Sequence, residues 1–595
     1  MHGHRRFAAY TCVLAATLQL GAPLFAQSGK PISSVPRAAQ AQSSMEQHQS
    51  AAQAAFNKLV DEYFLASWKA YPNSATDEGI HDYDDKMPDP SAAGVSRRIA
   101  EEKQFLHRFE AVDPSQLNKT SRIDLKMLIA DAESELLELQ DIQGWQRNPD
   151  HYSSIIFNSV FSLIKRNFAP LETRLKAVIA REKAAPSIIA AAKANLQKTP
   201  KIYTEIALEQ LPDTIDFFKT TLPPEFADVK NEQLKSEFET ANNNVIAQLK
   251  DYQTFLKQDV LPNSVADFAI GKENFRKKLL YNEMVDEPLD KVLADGYTEL
   301  HRLQKEFVQT AAKIDPSKPA PEVYRTISLE HCAPDQLFNQ VQKVLDNLHD
   351  QCRAVVTIPA EDVLKVEETP PCERATTFAS MDAPGPFEKK AKEAYYFVTL
   401  PEKGWDAKRV EEHMRFYCTL DLINTSVHEA YPGHYIQGLW VKQAPSKTRK
   451  LLGCGSNIEG WAHYCEQMMV EEQPDNQKLK LVQLHDALLR ACRYIVGIQM
   501  HTAGMTMDQG KQFFVSEGYQ EPANADREAK RGTSDPTYLI YTLGKLQILS
   551  LRDDYKKAKG NQFSLKQFHD DFLSQGMAPV KLIREALLSP DEKSL

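Results

Sequence analysis

Cysteine is scarce in this sequence, which contains 8 among 595 residues. No two of them are spaced as a CxxC pair, which argues against a zinc site built from cysteines. Cys12 lies in the N-terminal segment, and subtracting it from 8 leaves 7, an odd number that predicts at least one free thiol. One loop-rich region contains Cys332, Cys352 and Cys372, and two of these three could form a disulfide bond.

Basic clusters and several common catalytic motifs are also missing. Acidic residues (81) outnumber Lys and Arg (71), and the formal net charge is -10. Because nucleic-acid-binding proteins usually carry a basic domain or stripe, we expect no nucleic-acid partner. The chain has no P-loop, no GxSxG elbow and no dinucleotide fingerprint. With 42% hydrophobic and 26% charged residues, its composition is that of an ordinary soluble globular protein.

Long apolar runs are absent after residue 26. Before it, Arg5 and Arg6 precede the apolar stretch 7–26, a pattern typical of a secretory signal peptide cleaved after Ala26. The alternative is an uncleaved anchor, because about 20 mostly apolar residues approach the length that spans a membrane. Residues 27–45 are rich in Ser, Ala, Gln and Pro and predict a disordered spacer. We therefore expect a periplasmic or secreted protein without stable membrane insertion after cleavage.

The rest of the chain has mainly helical periodicity, which predicts a mainly α fold. Residues 46–350 form an expected N-terminal helical part, beginning with apolar residues at three- and four-residue steps within 51–71. In the expected motif-bearing part, 351–595, two β-prone runs at 354–358 and 395–400 predict a small β-sheet before the motif. The two parts are expected to form one continuous structural unit.

The most informative motif is His428-Glu429-Ala430-Tyr431-Pro432-Gly433-His434. The familiar HExxH pattern has its histidines four residues apart, on one helical face, whereas these are six apart and about 120° apart on a regular helix. Pro432 removes a helical hydrogen bond and Gly433 permits unusual backbone angles. We therefore expect a local bulge that brings the imidazoles together. In the alternative interpretation, Pro-Gly simply ends the helix, His428 packs in the core and His434 lies on a loop.

If the imidazoles converge, the residue types are those of a catalytic zinc site. Such sites use three protein ligands and leave one position open for water. Glu429 could act as the general base toward that water. Glu459 is the expected third ligand. Glu466, seven residues later on the same helical face, either contacts a ligand without binding the metal or is itself the third ligand. His463 is a further candidate.

Four segments are distributed over most of the mature chain: HEAYPGHYIQ (428–437), EGWAHYCE (459–466), residues 72–82 and residues 270–275. Together they resemble a known bacterial family, the domain of unknown function 885 family. The family is in turn similar to helical zinc peptidases of the neurolysin and angiotensin-converting-enzyme kind. This resemblance implies a large helical metallopeptidase-like fold with a deep cleft.

The same resemblance implies roles for individual residues. His428, His434 and Glu459 become the ligands of one zinc ion, and Glu429 becomes the general base. In the segment 493–501, Arg493 and His501 match the family pattern, with Arg493 expected to bind substrate and His501 to stabilise an oxyanion. Gly497 stands where the family has an aspartate, and this departure leaves a carboxylate at position 497 out of the expected site.

A second downstream stretch, Tyr538 to Arg552, resembles the tyrosine-bearing helix of such enzymes. Tyr541 is the preferred donor to a tetrahedral oxyanion, and Tyr538, three residues earlier, is the alternative. Lys545 and Arg552 are expected to bind a substrate carboxylate, although a solvated helix face explains them equally well.

The combined expectation is an exported zinc peptidase that cleaves short peptides. The alternatives are a zinc hydrolase of other amides or esters and a non-catalytic helical binding protein. The carboxylate beside the first histidine argues against the binding protein, because a binder has no need for a general base. The sequence predicts neither the oligomeric state nor exo- versus endo-cleavage.

Overall fold

The computed structural model describes residues 37–370, 374, 378–402 and 404–588. Within them the fold is mainly α-helical, with one small sheet, as expected. The expected signal peptide, 1–26, lies outside the described residues. The expected disordered spacer is wrong at its end, because α1 begins at Arg37 and residues 37–45 are helical. Ala and Gln, abundant there, are good helix formers.

The N-terminal part consists of helices of varied length. They are α1 (Arg37–Ala70), α2 (Pro72–Asp77), α3 (Ala92–Glu110), α4 (Lys119–Leu136), α5 (Gly144–Arg147), α6 (Asp150–Ile164), α7 (Leu171–Asn195), α8 (Lys201–Asp216), α9 (Leu222–Glu225), α10 (Glu232–Phe255), α11 (Lys272–Glu283), α12 (Leu289–Ile314), α13 (Ala320–Ser328) and α14 (Leu337–Val355). Several begin where a polar side chain accepts a backbone N–H: Ser91 before α3, Asn118 before α4 and Asn231 before α10.

The motif-bearing part contains the sheet and the remaining helices. The strands are β1 (Leu364–Glu368), β2 (Ala379–Asp382) and β3 (Ala394–Val398). The helices are α15 (Ala407–Arg415), α16 (Thr419–Glu429), α17 (His434–Val441), α18 (Lys447–Leu451), α19 (Gly455–Glu471), α20 (Gln477–Thr502), α21 (Met507–Gly518), α22 (Pro522–Ser534), α23 (Ile540–Lys559), α24 (Leu565–Leu573) and α25 (Val580–Leu588).

The sheet has β3 at its centre, parallel to β1 and antiparallel to β2. The β-prone run at 395–400 is confirmed as most of β3, but the run at 354–358 is not a strand, because α14 continues through Val355. Apolar β-branched residues suit a buried helix end as well as a strand, so the short run did not distinguish them. The free edge of β2 faces α16, where the backbone N–H of Met381 donates to Glu429.

Apolar side chains of both parts share one core. Tyr63 and Phe109 belong to the same buried cluster as Trp461 and Phe572. The helices between Tyr152 and Val260 bury a second cluster of their own. The motif-bearing helices are therefore fixed against the N-terminal helices by a continuous apolar contact.

Two further findings concern cysteines and membranes. The described cysteines, Cys332, Cys352, Cys418, Cys454, Cys465 and Cys492, form no disulfide with one another; Cys372 lies outside the described residues. Among the described helices, none combines the length and the apolar character needed to cross a bilayer.

His81 joins the N-terminal part to the loop before β3 through two carboxylates. Its Nδ1 lies 3.0 Å from Asp84 and its Nε2 3.0 Å from Glu388, while the ring stacks on Phe168. Burial lowers the pKa of His81, but the two carboxylates outweigh it and raise the pKa from 6.5 to about 9. The protonated ring therefore stabilises the fold.

This contact predicts a pH-dependent stability. Because the pKa of His81 is raised in the folded protein, its contribution to the unfolding free energy is complete below about pH 6.5. The contribution is lost as the pH rises through about 9. Relative to His81→Gln, the wild-type chain should lose on the order of 2 kcal/mol of unfolding free energy between pH 6 and pH 9.5, measured by urea unfolding. His301→Gln, at an exposed histidine, is the control. An equal pH dependence in all three proteins would contradict the role of His81.

Candidate metal centre

The HEAYPGH segment breaks its helix instead of bulging within it. α16 ends at Glu429, Ala430 has non-helical angles (φ -115°, ψ -84°), and α17 starts at His434. The expected bulge is therefore corrected to a break between two helices, with a cis Tyr431–Pro432 bond in the connection. Each histidine sits at the end of its own helix, so the 120° separation on a single helix no longer applies.

Gly433 allows the connection to turn back on α16. A Cβ atom at this position would lie 1.9 Å from the carbonyl oxygen of His428 and 2.4 Å from that of Val427. Such distances are far below van der Waals contact, so the chain can return to α16 only with glycine here. The close return is what places His434 beside His428.

The three predicted ligands lie together. The imidazole centroids of His428 and His434 are 4.8 Å apart. Glu459 Oε2 lies 3.4 Å from His428 Nε2 and 3.3 Å from His434 Nε2, and the three donor atoms all lie within 4.8 Å of one another. The alternative of two separated histidines is therefore wrong in geometry: Pro-Gly does end the helix, yet both rings meet the same carboxylate.

The donor set fits one zinc ion. Ligand atoms about 2.0–2.1 Å from a tetrahedral ion are about 3.3 Å from each other, which matches both distances from Glu459. Glu459 Oε2 is buried and has no hydrogen-bond partner among the described residues, as expected of an atom that faces an ion. Although burial favours the neutral acid, the two imidazoles hold the pKa of Glu459 well below its ordinary value.

Glu466 lies behind His428. Its Oε1 is 2.7 Å from His428 Nδ1 and 2.8 Å from a guanidinium nitrogen of Arg490, and its Oε2 is 3.1 Å from His463 Nδ1. A carboxylate on Nδ1 fixes the ring orientation and leaves Nε2 for a metal. This answers the question left by the sequence: Glu459 faces both histidines, Glu466 orients His428, and His463 contacts Glu466 instead of the donor cluster.

Glu429 is held by the sheet. Its Oε2 accepts a hydrogen bond of 3.1 Å from the backbone N–H of Met381, in the edge strand β2. The side chain is partly exposed, unlike the buried His428 before it. A base on water needs a fixed position and access to solvent, and Glu429 has both.

The EGW segment explains how α19 carries Glu459 to the histidines. Trp461 Nε1 donates to the carbonyl of Pro432 at 2.9 Å, which ties α19 to the connection between α16 and α17. Gly460 meets Gly544 of α23 so closely that a Cβ on Gly460 would lie 2.4 Å from the Cα of Gly544. Two glycines therefore let α19 and α23 cross at close range, next to the donor cluster.

The glycine crossing predicts a stability effect. In Gly544→Ala, the added Cβ would lie 1.7 Å from the carbonyl oxygen of Ser456, so the helices must separate. We expect a loss of about 1–3 kcal/mol, the usual cost of overpacking, seen as a lower melting temperature. Gly438→Ala, in α17, is the matched control, because its added Cβ would be in ordinary contact with the Cβ of Ala383, at 3.6 Å. Equal stability of the two variants would contradict the close crossing.

Tyr541 lies on α23, three residues before Gly544, and faces the centre. Its ring is 6.3 Å from that of His428, and its hydroxyl is 3.4 Å from Arg531. Arg493 lies 5.0 Å over the same ring and makes a two-fold hydrogen bond to Glu528, at 2.6 and 2.8 Å. Burial raises the pKa of Tyr541, so the hydroxyl keeps its proton.

Other predicted site residues lie away from the centre. Both ring nitrogens of His501 contact backbone, Nε2 the Gly532 carbonyl at 2.8 Å and Nδ1 the Ile270 N–H at 3.4 Å, so neither is left for an oxyanion. This corrects the expected catalytic role of His501. Burial lowers its pKa to about 4, which keeps the ring neutral.

Lys545 and Arg552 also differ from expectation. Lys545 is completely buried and pairs with Glu299 at 2.8 Å, so substrate cannot reach it, and its expected role is corrected to a structural one. Arg552 contacts Glu471 at 3.1 Å and Tyr464 at 3.3 Å, two residues outside the donor cluster. Neither cation is placed to bind a substrate carboxylate.

Tyr538 is fully buried and explains the unusual Gly497. A Cβ at position 497 would lie 2.8 Å from the Tyr538 ring, so the aspartate of the family pattern has no room here. The ring takes that space, and the Tyr538 hydroxyl has no solvent contact for a substrate. Tyr541, with its hydroxyl toward Arg531, is thus the better placed of the two tyrosines.

Sequence reasoning missed several residues of the site. Arg490 precedes Arg493 by three positions on α20, a spacing that puts both on one face and could have indicated it. Arg531 had only its side-chain type as a signal, and Trp461 was part of the EGWAHYCE segment but was given no role. Met381 contributes a backbone N–H, which no residue pattern identifies.

The family model for bacterial proteins of unknown function (DUF885) matches residues 72–587, so the chain belongs to this family. No curated protein matches the sequence. A solved structure of a candidate lipoprotein of unknown function from Shewanella oneidensis is 28% identical, with a TM-score of 0.76 over 90% of this chain and 100% of that one. A candidate lipoprotein from Colwellia psychrerythraea, 16% identical, has a TM-score of 0.70 over 91% of this chain and 98% of that one, and shows the fold alone.

Proposed function

We propose that this member of the DUF885 family is an exported zinc-dependent peptidase that hydrolyses short peptides. The observation that carries the proposal is the convergence of His428, His434 and Glu459 on one point, with Glu429 fixed beside the first of them. A structural cluster needs no partly exposed carboxylate next to its first histidine. Export is supported by the N-terminal pattern and by the similar structure of a candidate lipoprotein from Shewanella oneidensis.

His428, His434 and Glu459 would hold the ion, and Glu466 would keep the His428 ring turned toward it. Zinc, when bound, supplies a Lewis acid that polarises the scissile carbonyl and lowers the pKa of water. The neutral imidazoles and the carboxylate are ligands that zinc prefers.

Glu429 would move the proton. Its Oε2 is occupied by the Met381 N–H, while Oε1 has no partner in the described part of the chain. Oε1 would take a proton from the attacking water, and the resulting acid would give that proton to the leaving amine. This general acid–base sequence needs one residue that stays in place through both steps, and the edge strand provides that restraint.

Tyr541 would bind the developing oxyanion through its hydroxyl. The side chain faces the donor cluster, and Arg531 lies 3.4 Å from the hydroxyl oxygen. A guanidinium at this distance adds positive charge where negative charge develops. Arg493, engaged by Glu528 and stacked over the ring, would hold Tyr541 in position.

Metal analysis and a peptide-library digest of the mature protein test the proposal. We expect one zinc per chain and peptide cleavage that a chelator stops and zinc restores. A protein that binds no zinc would overturn the metal centre. A zinc-loaded protein that cleaves esters or other amides but no peptide would favour the broader hydrolase, and one that cleaves none of these would favour a binding role.

A further inference from the structure

We propose that Arg490 is a positioning residue of the candidate site, which holds the metal ligand His428 and the oxyanion donor Tyr541 in fixed places relative to each other. The inference rests on the proposed peptidase function and adds a residue that neither binds the metal nor touches the substrate. Arg490 lies in the middle of α20, and only 13% of its side chain is exposed.

The guanidinium group of Arg490 is fixed from two sides. Its Nη1 donates to the carbonyl oxygen of Asp486, one turn earlier on α20, at 3.2 Å. Its Nη2 lies 2.8 Å from Glu466 Oε1, on α19. Because the guanidinium is planar and its donors point in fixed directions, two such contacts set both its position and its orientation. Arg490 therefore ties α20 to the carboxylate that orients His428.

One oxygen of Glu466 is shared between Arg490 and His428. Oε1 lies 2.7 Å from His428 Nδ1 and 2.8 Å from Arg490 Nη2, so the two nitrogens are only 3.4 Å apart. A carboxylate oxygen can accept two hydrogen bonds, and here each nitrogen takes one of them. A shift of the guanidinium would therefore move the oxygen that sets the rotation of the His428 ring.

Arg490 also supplies the charge that balances Glu466. Among the residues that the structure describes, it is the only arginine or lysine in contact with this carboxylate. His463, 3.1 Å from the other oxygen, is neutral because burial lowers its pKa to about 3, and His428 is neutral when it binds a metal. Glu466 is almost completely buried, and a buried carboxylate without a cation is strongly unfavourable. Removal of Arg490 should therefore displace Glu466 from His428.

The same guanidinium reaches the proposed oxyanion donor. It lies 5.7 Å from the centre of the Tyr541 ring, a distance at which a cation is attracted to an aromatic ring. The Tyr541 ring is in turn 6.3 Å from the ring of His428. Arg493 also lies over Tyr541, at 5.0 Å, but is paired with Glu528. Arg490 thus contacts the supports of both groups, whereas Arg493 contacts only the tyrosine.

Zinc affinity of the full mature protein, measured by competition with a chromophoric chelator, tests the inference without reference to activity. Arg490→Met keeps an unbranched side chain but removes the charge. It should weaken zinc binding about 10-fold, the lower end of the range for outer hydrogen-bond partners of metal ligands, because it acts through Glu466. Arg490→Lys should recover most of this loss, since its ammonium group keeps the charge. Arg493→Met, the same change three residues along α20, is the matched control and should leave zinc affinity unaltered.

A double-variant cycle shows whether Arg490 acts through Glu466. Glu466→Ala removes the shared oxygen, so the addition of Arg490→Met should weaken zinc binding no further. Additive losses would overturn the positioning role. Neither Arg490→Lys nor the double variant contains an unpaired buried carboxylate, so both keep the test open if Arg490→Met alone does not fold.

Kinetics at saturating zinc test the contact with Tyr541. Arg490→Met should then have an unchanged KM and a kcat about 2- to 5-fold lower, the effect of one lost cation–π contact. An unchanged kcat would overturn a functional contact with the tyrosine. The melting temperature of each metal-free variant would be measured on the same samples.

The outcomes separate this inference from the peptidase proposal. Unaltered zinc affinity in Arg490→Met would overturn the role of Arg490 while the peptidase function stands. An equal loss of zinc affinity in Arg493→Met would indicate a general disturbance of α20 and would also overturn it. Weakened zinc binding in Arg490→Met alone, in a protein whose wild type cleaves no peptide, would support Arg490 as a support of the metal ligand and overturn the peptidase function.

Discussion

Glu429→Gln is expected to lower kcat for peptide hydrolysis by about 10²- to 10⁴-fold, the usual contribution of a general acid–base residue. Glutamine has nearly the same shape and can still accept the hydrogen bond from the Met381 N–H. It cannot take a proton from water, however, so the loss would be chemical and not structural. Steady-state kinetics on one defined peptide, with zinc content measured on the same sample, would check this.

The zinc content decides how this result is interpreted. Glu429 is not among the three donors, so the variant should keep one zinc per chain. Glu472→Gln, the same chemical change at an exposed residue following α19, is the matched control and should retain wild-type kinetics. Unaltered hydrolysis in Glu429→Gln would show that another group is the base.

His434→Ala is expected to abolish stoichiometric zinc binding. Replacing a residue that only hydrogen-bonds a metal ligand typically weakens metal affinity about 10- to 100-fold. Replacing the ligand itself should therefore weaken zinc affinity more than about 100-fold. In wild type, zinc at 100 times its dissociation constant should stabilise the fold by about 2.7 kcal/mol, seen as a rise in melting temperature. The variant should lose this rise.

A matched histidine substitution controls for nonspecific zinc binding. His301→Ala changes an exposed histidine on α12 and should leave both zinc content and the zinc-dependent melting shift intact. If His434→Ala still retained one zinc per chain after dialysis, the ion would be held by other residues, and the assignment of the donor cluster would be wrong.

The fold class could be predicted from the sequence because an amphipathic helix repeats its apolar residues in every turn. The short apolar run at 354–358 was ambiguous, since α14 buries Val355 as a strand would. The start of α1 at Arg37 was missed because a polar, Ala- and Gln-rich segment has no apolar period to identify it. Local composition thus predicted most helices but not where the first begins.

The candidate site divides in the same way. The HEAYPGH and EGWAHYCE segments identified His428, His434 and Glu459 as candidate ligands, because two imidazoles and a carboxylate form a typical zinc-binding set. It did not predict that α16 ends at Glu429 and a new helix starts at His434, since a bulge and a break have the same sequence signature. His501 and Lys545 had suitable chemistry for a site, but backbone contacts and Glu299 occupy them.

The sequence by itself determined the chemistry that this protein can present: two imidazoles, two carboxylates and a tyrosine on helices, in a mainly α chain. Only the tertiary structure decided which of these groups meet. Gly433 lets the chain turn back on the His428 carbonyl, and the close approach of Gly460 to Gly544 brings together two helices that are far apart in the chain. The physical reason is that residue type and spacing fix which helix face a side chain occupies, whereas the approach of one helix to another depends on contacts between segments far apart in the chain.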